Sequence, residues 1–162
     1  SRFTHIWGWA SWRRAWRLYD HAMSRWPQQR AAGWLQAYLG NEQAVHYWTR
    51  VFDETHGERN SSWAYRWTYS AWANEALTLI PEVNLVSNIG FGDQATHTVN
   101  KRNRFAALPL EPIGLPLRHP PELIHNEIAD AFTQKTMFRR PPMWKRVGSR
   151  VLRTLRNARQ ES

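Results

Sequence analysis

Eleven tryptophans and no cysteine in 162 residues constrain this chain more than any other feature. So many large rings must either fill a core or form an exposed aromatic surface. Without cysteine, no disulfide, thiolate nucleophile or Cys-ligated metal centre can support them. With 42% hydrophobic and 14% aromatic residues, the chain is expected to fold rather than stay disordered. Its length suits one domain or part of one. No apolar run approaches the roughly 18–20 residues that span a bilayer, and the start lacks the basic-then-apolar pattern of a signal peptide. These features favour a cytosolic setting.

The tryptophans recur at helical spacing. Ser11 can cap a helix to about Trp26, carrying Trp12, Trp16, Tyr19, Met23 and Trp26 on a core-facing side, with Pro27 after it. A short helix over Ala31–Leu39 should close at Gly40. Asn41 can cap a third helix through Val45, Trp48, Val51 and Phe52, and Ser61 or Ser62 a fourth through Trp63, Trp67 and Trp72. Leu77–Ile80 and Val83–Val86, separated by Pro81, read as short buried strands. Residues 89–98 form a glycine-containing loop, residues 105–117 are extended and punctuated by proline, and Pro121 is placed to start a helix through Ile124, Ile128, Ala131 and Phe132. The fold class is α/β, helix-rich and short of strands, as a partial domain would be. The aromatic run Ile6–Trp12, met at once after Ser1, likewise suggests a chain that begins inside a larger domain, and exposed apolar patches are then expected.

Charge divides the chain at Arg139. From there on, eight basic residues face the single acid Glu161, so residues 139–162 hold +7 of the net +9. Trp144, Val147, Val151, Leu152 and Leu155 alternate with Lys145, Arg146, Arg150, Arg153 and Arg156 in the manner of a basic amphipathic helix, set off by Pro141-Pro142. An anionic membrane surface, a solvated terminus and a nucleic-acid contact are three readings of this tail. A near-neutral body disfavours nucleic acid, because binders of that kind spread basic residues over a folded face.

Two stretches are more specific than composition. They are Trp7-Gly8-Trp9-Ala10-Ser11-Trp12-Arg13-Arg14-Ala15-Trp16 and Pro81-Glu82-Val83-Asn84-Leu85-Val86-Ser87-Asn88-Ile89-Gly90-Phe91-Gly92-Asp93-Gln94-Ala95-Thr96-His97-Thr98. Together they resemble the C-terminal half of bacterial GT-A glycosyltransferases of the family-2-like, nucleotide-diphospho-sugar kind, in the group sometimes labelled haemolytic-protein-like. The likeness runs over nearly all of residues 1–138, including Tyr19-Asp20, Trp26-Pro27 and Leu117-Arg118-His119-Pro120. It implies residues 1–138 as the acceptor-side part of the domain and 139–162 as an appended tail. It further implies a nucleotide-sugar donor, a sugar or lipid-linked acceptor, a divalent Mn or Mg held mostly by an upstream donor half, and transfer with inversion. The setting so implied is surface polysaccharide or glycolipid synthesis at the inner face of the cytoplasmic membrane.

Inverting transfer needs a carboxylate to take the acceptor hydroxyl's proton. Related enzymes carry an acidic residue in the Trp-x-x-x-Trp helix start, where this chain has Ala64 within Trp63-Ala64-Tyr65-Arg66-Trp67. Asp53, Glu54, Glu58 and Asp93 remain, and Asp93, in the glycine loop, is the preferred base. Gly90 and Gly92 let backbone approach a ligand, and Thr96, His97 and Thr98 supply donors, a composition suited to a diphosphate, with His97 also placed to bind metal. Trp7 and Trp9 are the residues expected to stack on an acceptor sugar, since Trp7, Trp9 and Trp12 lie too close in sequence to share one helical face. Arg13 and Arg14 can hold an anionic sugar or a diphosphate, or simply be solvated. No His-x-x-x-His spacing marks a zinc site, and no Gly-x-Ser-x-Gly elbow supports a serine nucleophile. A non-enzymatic carbohydrate-binding or membrane-surface module is the alternative reading.

Overall fold

The computed structural model describes residues 1–87 and 107–138. Six helices follow in order: α1 Arg13–Trp16, α2 Trp26–Ala31, α3 Trp34–Leu39, α4 Glu42–His56, α5 Trp63–Ala73 and α6 Glu127–Met137. No strand occurs among the described residues, so what is described is helix-rich. Leu77–Ile80 and Val83–Val86, expected as strands, run as irregular chain. At one point the first of these segments does pair: Ser1 and Thr78 exchange both backbone hydrogen bonds, at 3.0 and 2.8 Å.

The longest helix, α4, forms where its sequence signals agree. Asn41 accepts the Ala44 amide at 3.0 Å, Glu42 sits in the first turn, and Gly57 follows the last. Its buried residues Ala44, Trp48, Val51, Phe52 and Thr55 follow helical periodicity. α5 crosses beside it and is buried continuously from Arg66 to Trp72, which makes it the central helix. α2 and α3 pack against α4 and close the same core, with Trp26 and Trp34 meeting Tyr69 of α5.

Aromatic rings fill the interior. Trp48 and Trp72 meet at 4.7 Å between centroids and 61°, Trp26 and Phe52 at 5.3 Å and 79°, and Phe52 and Tyr69 at 5.6 Å and 77°. Such edge-to-face pairs are worth about 0.5–1.5 kcal/mol each beyond the area they bury. The first residues lie across this core: Phe3 is buried, Trp72 Nε1 donates to the Arg2 carbonyl at 2.7 Å, and the Thr4 and Thr68 hydroxyls meet at 2.8 Å.

Three helices differ from the sequence expectation. The helix expected over 11–26 is a single turn, α1, then irregular chain in which Met23 has φ 50°, then α2. Met23 and Trp26 are still buried, but Trp12 and Trp16 are exposed. The helix over 31–39 is split at Gly33, whose left-handed φ of 68° ends α2 and starts α3, whereas Gly40 closes α3 as expected. The last helix begins at Glu127 under an Asn126 cap, not at Pro121, because Asn126 accepts the Ala129 amide at 3.0 Å.

α6 also docks by its polar side. Asp130 is buried and accepts from the Ser1 hydroxyl at 2.6 Å and the Arg2 amide at 3.0 Å, and Gln134 accepts the Trp48 indole N–H at 2.9 Å. Ile124, Ile128 and Phe132, whose spacing marked a helix in the sequence, are exposed.

Candidate functional site

An aromatic shelf forms where the Trp7–Trp16 segment meets the start of α5. Gly8 makes this possible. Its φ of 58° is left-handed, and a Cβ there would collide with the Val86 side chain, so only glycine lets the chain turn this tightly against residue 86. The turn leaves Trp7 exposed and carries Trp9 onto α5. There Trp9 stacks on Trp63 at 5.6 Å and 27°, and lies 5.8 Å from Trp67, one helical turn further on. α1 then returns Trp16 to the same cluster, 5.9 Å from Trp9, 5.1 Å from Trp67 and stacked on Tyr19 at 4.9 Å and 6°. Trp16 and Trp63 both remain about 43% exposed, so the shelf has a wet face.

In front of it, Trp9, Ala10, Ser11, Arg13 and Trp16 line an open depression of about 500 Å³. Arg14 places its guanidinium 5.0 Å from the Trp12 ring centroid. No acidic residue occurs before Asp20, so the shelf is cationic. Flat indole faces can take the C–H side of a sugar ring, with Arg13 and the Ser11 hydroxyl able to donate to its oxygens. Burial pushes the Tyr19 phenol above its ordinary value, and the nearby Arg66 charge opposes this only in part, so Tyr19 keeps its proton.

Beneath the shelf, Arg66 is 5% exposed, and its guanidinium donates to the Thr55 carbonyl at 3.2 Å and to the His21 carbonyl. It thereby ties the last turn of α4 to the loop after α1. The sequence reading passed over Arg66, as it did Trp16 and Trp63 as surface rings. The Trp-x-x-x-Trp spacing of Trp63 and Trp67 was the available signal, since it puts both on one helix face.

The carboxylates considered as bases lie elsewhere. Asp53 accepts from Trp26 and Arg30, and Glu54 forms a two-pronged ion pair with Arg50 at 2.9 and 3.0 Å. Glu58 is exposed at φ 58°. None of the three lines the depression. Ala64 is half-buried beside Trp63 in the first turn of α5, next to the shelf. Asp93, Gly90, Gly92, Thr96, His97 and Thr98 lie outside the described residues, as does the 139–162 tail. Among the described residues no three His, Asp or Glu side chains converge as metal ligands, and no helix is long and apolar enough to cross a membrane.

No protein family, curated protein or solved structure matches this chain.

Proposed function

We propose that residues 1–138 are the acceptor-binding, helix-rich part of an α/β GT-A glycosyltransferase, with the Trp9–Trp16–Trp63 shelf as the platform for the acceptor sugar. The observation that carries this reading is the open, cationic aromatic depression of about 500 Å³, in the segment where the sequence resembles that family. Indole faces favour the apolar side of a pyranose, and Arg13 and Ser11 at the rim fix its rotation. On this reading Asp93 takes the acceptor proton, while Gly90, Gly92, Thr96, His97 and Thr98 serve the departing diphosphate. A divalent Mn or Mg would supply further charge neutralisation there. Among the described residues no three candidate ligands for it come together.

The test is tryptophan-fluorescence titration of the whole chain with a panel of neutral and acidic oligosaccharides. Trp9→Ala and Arg13→Gln should each weaken the best binder about tenfold, the loss expected for roughly 1.4 kcal/mol, with helix content unchanged. Absence of binding to every saccharide, or binding untouched by both substitutions, overturns the reading. The catalytic part is tested in a protein that also carries a donor site: full turnover by Asp93→Asn would remove Asp93 from the chemistry.

A further inference from the structure

The positive charge around the shelf is not neutralised within the fold. Residues 1–19 contain Arg2, Arg13, Arg14 and Arg17 and not one carboxylate. Arg2 is engaged inside the molecule, donating to the Tyr38 carbonyl, whereas Arg13 lines the depression. The next acid along the chain, Asp20, is turned to Ser24, accepting that residue's amide at 2.7 Å and its hydroxyl at 2.8 Å. Beneath the rings, Arg66 is buried and donates to two main-chain carbonyls, and among the described residues no carboxylate forms an ion pair with it. Its charge reaches the Tyr19 phenol, whose ring stacks on Trp16 at the edge of the depression. A guanidinium held without a counter-ion under an apolar wall acts over a longer range than the same charge in water, and a concave site focuses its field.

We infer that the acceptor on the shelf is an acidic pyranose, its ring lying on Trp9 and Trp16 and its carboxylate meeting Arg13. The inference deepens the platform reading and rests on it. A uronic acid joins the two features that the depression offers. Its C–H face suits the indoles, and at the ring's edge it carries a planar anion that the Arg13 fork can hold by two parallel hydrogen bonds. Ser11, on the same rim, can donate to a neighbouring oxygen. A neutral sugar would cover the rings and leave the guanidinium charge unanswered. A bare diphosphate would answer the charge and leave the indole faces wet.

Calorimetric titration of the 162-residue chain with oligogalacturonate and oligoglucuronate, each beside its methyl ester, tests the inference. The ester keeps ring and linkage and removes the charge. In at least one pair the acid should bind about tenfold tighter than its ester at low salt, and the gap should narrow as salt rises. Arg13→Gln, at an exposed position, should weaken the acid about tenfold and the ester little, closing the gap. Arg66→Gln should narrow it in part where circular dichroism shows that variant folded, and Arg13→Gln decides the matter where it does not fold. Acids that bind no tighter than their esters, with Trp9→Ala weakening both, overturn this inference and leave the platform standing. A gap untouched by Arg13→Gln overturns it too. Uridine diphosphate that binds tighter than either acid and is lost in Trp9→Ala would assign the shelf to a nucleotide, overturning it as well. No binding of any saccharide overturns both readings.

Discussion

The carboxylate of Asp53 accepts the indole N–H of buried Trp26 at 3.1 Å, and the same oxygen accepts from Arg30 Nε at 2.7 Å. A group so engaged serves packing. Asp53→Ala strands the Trp26 donor and should cost about 1–3 kcal/mol in urea denaturation, while Asp53→Asn, which keeps an acceptor oxygen, should cost less than half as much. Wild-type stability of Asp53→Ala would show that the carboxylate does not serve packing.

Trp48 joins two layers of the molecule. Its ring packs against Trp72 and Phe52, and its N–H holds α6 through Gln134. Trp48→Ala should destabilise by about 3–5 kcal/mol, enough to unfold a marginal domain. Gln134→Ala should cost about 1 kcal/mol and raise amide exchange first in residues 127–137, measured by hydrogen–deuterium exchange.

Gly8→Ala should be costly despite its surface position. The left-handed φ penalises any side chain by about 1–2 kcal/mol, and the Val86 contact adds to it. The expected result is a lowered melting temperature together with weakened saccharide binding, because Trp9 loses its approach to Trp63. Gly33→Ala provides the control: it has a similar φ but open space around it, so it should lose stability without altering binding.

His5 makes stability depend on pH. Burial pushes its imidazole below the ordinary value of 6.5, and the Asp130 carboxylate opposes this only in part. The folded protein therefore prefers a neutral His5, while the unfolded chain protonates it near 6.5. Stability should be full above that pH, fall as pH drops below it, and level off beneath the native value. Denaturation midpoints of wild type and His5→Gln, compared from neutral to mildly acidic pH, should converge as pH falls. Parallel curves would remove His5 as the cause.

Local signals were legible in the sequence where one residue type decides a conformation. Asn41 as a cap, Gly40 as a stop and the buried stripe of Trp48, Val51 and Phe52 all follow from propensity and period. What misled was apolar spacing standing alone. Trp12 and Trp16 repeat as a core face would, and so do Ile124, Ile128 and Phe132, yet all five are exposed. In both places long-range contacts outweigh the pattern: Trp63 and Trp67 hold Trp16 at the rim, and hydrogen bonds to Asp130 and Gln134 turn α6 over. That at least one of Trp7, Trp9 and Trp12 points away from the core was legible, but the stacking of half-buried Trp9 on Trp63 was not, because it depends on where α5 starts relative to the turn at Gly8.

The packing of the tryptophans has an optical consequence. Trp48 and Trp72, and likewise Trp9 and Trp63, lie close enough for their excited states to couple and exchange energy. The first pair is sealed in the core and the second opens to solvent, so the protein carries two intrinsic reporters with different surroundings. Near-ultraviolet dichroism of the buried pair will follow the integrity of the helices, while emission from the outer pair responds to whatever settles on the shelf.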